Sequence, residues 1–336
     1  MTGIKSLFCF LLYNKIDISH IRRFCRSLIH PTQQKIAMNT SLKTITCLAA
    51  FALGASATQA QYTLINETFS DGARNGAGRA TEWWAILNNG TSNAVVTKTE
   101  FGGTHALEFY GSSSQTTLIA TFAPVTLSKA DDYVRISAQT RYDTNVVTGF
   151  GANTGPLLGL YNAGSTFQDA DFFTPSGAPG ALTDDIGYKA TKFAAVDAAD
   201  VKIYKQAPFS GSFFNWAGTA LTLESGQNSG AVLAKSTIYT TTLTLKLAAN
   251  LTDLEITYEI EGGGISHTAI ATIAADTFTF NEALIGVFSG QAANNIRAHM
   301  SNIVVTTNVP EPTTVAMLIG AASLIPLALR FRHSRH

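Results

Sequence analysis

From Asp253 to Glu261 the chain alternates without a break. Leu254, Ile256, Tyr258 and Ile260 fall on one side, and Asp253, Glu255, Thr257, Glu259 and Glu261 on the other. Successive side chains on a strand point to opposite faces, so this pattern fixes a strand with one buried and one wet face. Tyr239–Leu247 repeats it with Leu243, Leu245 and Leu247 against Thr242, Thr244 and Lys246, and Tyr133–Tyr142 with Val134, Ile136 and Ala138 against Arg135, Ser137, Gln139 and Arg141. Strands of this kind belong to antiparallel sheets packed on one side only.

Further strands are predicted at Tyr62–Phe69, Ala94–Glu100, Ala106–Tyr110, Thr117–Phe122, Val201–Lys205, Thr268–Ile273, Ala283–Phe288 and Ile303–Thr307, separated by Gly, Asn, Asp and Ser clusters. Between Tyr62 and Thr307 no window holds a helical period over a dozen residues. The predicted fold is all-β: a single antiparallel β-sandwich of jelly-roll type over 61–308. Residues 143–200, with Gly149, Gly151, Gly155, Pro156, Pro175 and Pro179, read as loops with short strands and one helical turn. In rhythm the sandwich resembles the concanavalin-type lectin and laminin-G class, and the resemblance implies that the strands at Leu64–Phe69 and Ser301–Thr306 pair.

The cysteines are Cys9, Cys25 and Cys47, so the segment from Gln61 has neither a disulfide nor a thiol nucleophile and holds by burial. The net charge of zero conceals an uneven distribution. Residues 1–60 carry seven Lys/Arg against Asp17, and residues 309–336 carry Arg330, Arg332 and Arg335 against Glu311. The 61–308 body holds thirteen basic and twenty-one acidic residues. An acidic body of this kind excludes a nucleic-acid partner, which rewards clustered cations.

The two ends read as export and anchoring signals. From Met38, Lys43 is followed by an apolar run, Ile45–Gly54, and by small residues at Ala55–Ala57 and Ala60. This is the order of a secretory signal peptide over 38–60, cut by signal peptidase after Ala60, with Ala57 as the alternative. Residues 1–37 are expected to be a disordered extension or untranslated, with Met38 as the start. At the other end, Pro310-Glu311-Pro312 precedes seventeen uncharged residues, Thr313–Leu329, and a basic tail, 330–336, carrying Arg330, Arg332 and Arg335. The uncharged stretch is long enough for a short transmembrane helix, with the arginines on the cytoplasmic side.

The triplet, span and basic end together resemble the PEP-CTERM sorting domain of exosortase-processed bacterial proteins, over 309–336. The resemblance implies a Gram-negative host, transient anchoring in the inner membrane, recognition by an exosortase, and a final place at the cell surface or outside it, often beside polysaccharide. The expected role is structural or adhesive and non-enzymatic, without a cofactor.

The alternative is a carbohydrate-binding module or a glycan-active hydrolase. A retaining glycosidase needs two carboxyls about 5–5.5 Å apart. Alternate residues of one strand lie about 6.6 Å apart, so Glu259 pairs with Glu261, or with Glu255. A solvated strand face explains the same residues without catalysis. Trp83, Trp84 and Trp216 are the candidate glycan platform, and two adjacent strand residues cannot both face the core. Calcium would find oxygen ligands at Asp131-Asp132, at Asp169 with Asp171, or at Asp184-Asp185, pairs that also form turns. His105, His267 and His299 lack metal-ligand spacing.

Overall fold

The computed structural model describes residues 60–87, 91–111, 116–143, 154–167, 169–173, 184–193, 200–206, 218–288 and 296–310. The predicted signal segment before Ala60, the tail from Glu311 and Trp216 lie outside the described residues.

The described residues form sixteen strands. They are β1 (Tyr62–Glu67), β2 (Trp84–Leu87), β3 (Thr91–Thr97), β4 (His105–Gly111), β5 (Thr116–Thr126), β6 (Tyr133–Tyr142), β7 (Gly155–Asn162) and β8 (Phe172–Phe173), followed by β9 (Ile186–Lys192), β10 (Val201–Gln206), β11 (Thr219–Ala220), β12 (Ile238–Leu247), β13 (Asp253–Gly262), β14 (Ile265–Ala274), β15 (Thr279–Phe288) and β16 (Ile296–Thr307).

Two eight-stranded sheets result. The first runs β14-β13-β12-β6-β16-β4-β3, with β1 also on β16. The second runs β11-β10-β9-β7-β15-β5-β2-β8. Every pairing is antiparallel except β2 with β8. The fold is the antiparallel β-sandwich of jelly-roll type that the alternation predicts, and no described residue is helical.

The alternating segments sit in the first sheet. β6 buries every second residue, and β12 and β13 do nearly the same. Their inward residues, among them Ile136, Leu243, Leu245, Ile256 and Tyr258, meet Leu158, Leu160, Tyr188, Ala190 and Ile203 of the second sheet in one core. Each large aliphatic so buried contributes about 1.5–3 kcal/mol.

β16 changes partners midway: 296–300 pair with β4 and 303–307 with β1. A bulge separates the halves, where Asn302 takes a left-handed φ of 51°. Its amide donates to Phe101 O at 3.0 Å and Gln139 Oε1 at 2.6 Å, which fixes the break. Because Tyr62 lies opposite Thr307, both ends of the sandwich leave at the same place, and the predicted pairing of its first and last strands is present.

The segment 143–200 departs from the prediction. It supplies β7 and β9, two long adjacent strands of the second sheet. They show no alternation because both faces are buried: all of Gly155–Tyr161 and all of Gly187–Lys192 are buried. A strand covered on both sides loses the wet face that makes it legible.

Candidate functional site: the second face of the second sheet

In β7, β9 and β15 the residues turned away from the core are 157/159/161, 187/189/191 and 282/284/286. Leu157, Tyr161, Leu284, Ile119 and Ile86 form a small apolar cluster there, with Trp84 against it. The register sets out rows across the face. One runs Gln206, Gly187, Tyr161, Glu282, Thr121; the next runs Tyr204, Lys189, Gly159, Leu284, Ile119, Trp84.

The glycines in these rows make room for one ring. A Cβ on Gly159 would come within 2.6 Å of the Tyr161 ring, and one on Gly187 within 2.6 Å of that ring and 2.3 Å of Leu160 O. Tyr161 therefore lies flat over both backbones, the arrangement in which an aromatic ring covers a strand glycine.

Beside that ring sit Asp185 and Glu282, both 0% exposed. Asp185 immediately precedes β9. Glu282 follows a bulge in β15, where the register with β5 slips between Phe280 and Glu282. Bulges re-aim side chains, and this one is pinned by Ala163 N donating to Asn281 Oδ1 at 2.8 Å. The two carboxyls lie close enough to act on each other. None of their four oxygens has a hydrogen-bond partner among the described residues. Burial, then the charge of Asp184, pushes the Asp185 carboxyl up to about 7; burial, then Asp185, pushes that of Glu282 well above the usual range.

Lys189, on the same face, is buried and donates to Gln206 Oε1 at 3.3 Å. Burial brings its ammonium down to about 8. Thr117 and Thr191 carry buried hydroxyls, and Gln206 a buried amide nitrogen, that have no partner among the described residues. A largely buried face with this many polar groups is costly to form unless each has a role.

The predicted site residues lie elsewhere. Glu255, Glu259 and Glu261 stand on the outer face of the first sheet, half-buried or exposed. Glu255 pairs with Lys246 at 2.8 Å; Glu259 lies between Thr242 and Thr268, and Glu261 between Thr240 and Ser266. Trp83 precedes β2 and is buried in the core, whereas Trp84 turns to the opposite face and is half-buried, so it retains some accessible surface.

The aspartate pairs act mainly as turn and loop ties. Asp132 accepts from Ser128 N and Lys129 N, both at 2.8 Å. Asp171 accepts two bonds from Arg74 and one from Ala85 N at 2.9 Å. Asp184 accepts from Ser165 N at 3.0 Å and Thr166 Oγ1 at 3.0 Å. Among the described residues no group of three or more His, Cys, Asp or Glu could hold a metal ion.

The histidines are separate. His105 bonds Thr104, and His267 bonds Gly226 O. His299 is buried between Glu108, 3.1 Å from Nε2, and Asp143, 3.5 Å from Nδ1. Burial first and Lys98 second hold its imidazole below the ordinary value, against the pull of Asp143 and Glu108.

Sequence reasoning named Asp185 only as half of a turn-like aspartate pair and passed over Glu282. The one available signal was an acid inside an apolar strand, Glu282 in Ala283-Leu284-Ile285 context.

No family model matches the chain, and no curated protein matches it. Several solved structures align with the chain at low identity. The marine PL-14 alginate lyase from Aplysia kurodai is 12% identical, over 73% of this chain and 98% of that one, at a TM-score of 0.45. Peanut lectin is 6% identical, over 75% and 98%, at 0.40. A carbohydrate esterase from the Shiga toxin-encoding bacteriophage phi24B is 16% identical, over 75% and 100%, at 0.37.

Proposed function

We propose that the chain is an exported bacterial surface protein, structural or adhesive, that an exosortase sorts through its C-terminal segment. The carrying observation is the order Pro310-Glu311-Pro312, Thr313–Leu329, then Arg330, Arg332 and Arg335. Seventeen uncharged residues gain by entering lipid, where a helix satisfies its own backbone. Since Tyr62 lies opposite Thr307, the sandwich closes on itself just before Pro310. A membrane enzyme can cut behind Pro310 without disturbing a strand.

The native host should therefore contain a membrane-bound precursor and a shorter released species. Deleting the exosortase, or Pro310→Ala with Pro312→Ala, should leave the precursor alone. An intact C-terminus on released protein, read by mass spectrometry, would sink the proposal.

The surface partner proposed is polysaccharide, with Trp84 as the contact. A glycan array on the wild type and Trp84→Ala tests this, and binding indifferent to the substitution removes Trp84 from the account. A reducing-sugar assay with Glu259→Gln and Glu261→Gln tests the hydrolase alternative; turnover that needs either glutamate would replace the non-enzymatic reading.

A further inference from the structure

We infer that Asp185 and Glu282 form a proton-binding site: the two carboxyls hold one proton between them, and its release loosens the second sheet's outer face. The inference does not depend on how the chain is sorted.

Geometry carries it. Both side chains are 0% exposed, they act directly on each other, and all four carboxyl oxygens are buried without a hydrogen-bond partner among the described residues. Two ionised carboxylates in contact in a dry site repel each other and lack the water that would solvate them, so one must stay protonated for the face to close.

The surroundings do not relieve this. From the β9 side come Asp184, which adds negative charge, and Lys189, which is engaged by Gln206. β7 presents Tyr161, whose hydroxyl the two acids hold in its neutral form together with burial. β5 presents the neutral Thr121 opposite Glu282. A cation close enough to replace the proton is absent from the described groups that act on the pair.

The sign follows from which state binds the proton. In the unfolded chain both acids ionise near pH 4. In the folded chain burial raises both members, so the pair keeps a proton to at least about pH 7. The folded state holds extra protons over this range, so the pair's stability is complete below about pH 4 and declines through pH 7. For each extra proton held, the folding constant falls about tenfold per pH unit.

The test uses the full chain in mild detergent. Its infrared difference spectrum at pH 6 should show a protonated-carboxyl carbonyl band that disappears with Glu282→Gln. Hydrogen-exchange protection factors, which remove the intrinsic rise of exchange with pH, should fall in β7, β9 and β15 on going from pH 6 to pH 8.5, while those of β12 and β13 hold. Asp185→Asn or Glu282→Gln should abolish this pH dependence. If a variant fails to fold, the wild-type infrared band still decides. Its absence at pH 6, or protection that falls equally in both sheets, overturns the inference.

Discussion

The two sheets have equal numbers of strands but treat their outer faces in opposite ways. The first sheet meets water. Its outer face carries Lys246 against Glu255, Arg141 against Glu100 and Asp143, and Arg297 against Glu108, with charged groups near solvent. The second sheet buries both faces of its central strands β7 and β9, and its outer face holds the buried Asp185, Glu282, Lys189, Gln206, Thr117 and Thr191. Burial of polar groups removes the screening that makes surface charges inexpensive to keep or lose. The same residue types therefore weigh differently on the two sheets.

Removing a buried charge should show this most strongly. Lys192, at the end of β9, is 0% exposed and donates to Asp200 at 3.0 Å, Phe193 O at 2.7 Å and Ala231 O at 2.7 Å. Lys192→Ala leaves Asp200 buried beside no cation, and the expected loss is about 3–5 kcal/mol in urea unfolding. A loss below about 1 kcal/mol would mean that this edge relaxes as a surface does.

Gly187→Ala comes next. The new methyl meets the Tyr161 ring and Leu160 O, so a loss of about 1–3 kcal/mol is expected. Pairing the change with Tyr161→Ala should leave the Leu160 O clash but relieve the ring clash, giving a non-additive double mutant.

pH separates the sheets by sign. The imidazole of His299, in the first sheet, is held below 6.5 in the folded state. The unfolded state then binds more protons as pH falls below 6.5, so this group's contribution is present above that pH and lost on acidification. The acid pair in the second sheet acts in the other direction. His299→Gln should flatten the acid limb of a stability-versus-pH curve and leave the alkaline limb alone. A change confined to the alkaline limb would show that the two sites are coupled.

The smallest effects belong to the wet face. Lys246→Ala breaks its partly exposed pair with Glu255 and should cost about 0.2–1 kcal/mol, less at high salt. Glu259→Gln, on the same strand as Glu255, should stay within about 0.5 kcal/mol.

What could be read from the residues follows this division. β6, β12 and β13 are legible to within a residue or two because water on one side forces a polar residue into every second position. The pairing of β1 with β16 is an expectation of the resemblance to the concanavalin-type class, not of the residues alone, and it is present. β7 and β9 are not. With both faces covered, Gly155-Pro156-Leu157-Leu158-Gly159 and Gly187-Tyr188-Lys189-Ala190 look like loop and broken pattern rather than the centre of a sheet. Glycine marks a turn in sequence statistics, whereas at 159 and 187 it makes room for a ring that arrives from Tyr161.

The sequence by itself determined the all-β class, the absence of cysteine from the body, the uneven charge and the order of apolar and basic residues at the two ends, because each is a property of residues adjacent in the chain. Only the tertiary structure decided that Trp83 is core while Trp84 faces outward, that the glutamates of β13 stand in solvent, and that Asp185 meets Glu282. That last contact depends on β7 lying between β9 and β15 and on a bulge that turns Glu282 toward the start of β9. The environment that keeps a proton on the pair is burial, a property of the assembled sheet that neither residue's neighbours in sequence record.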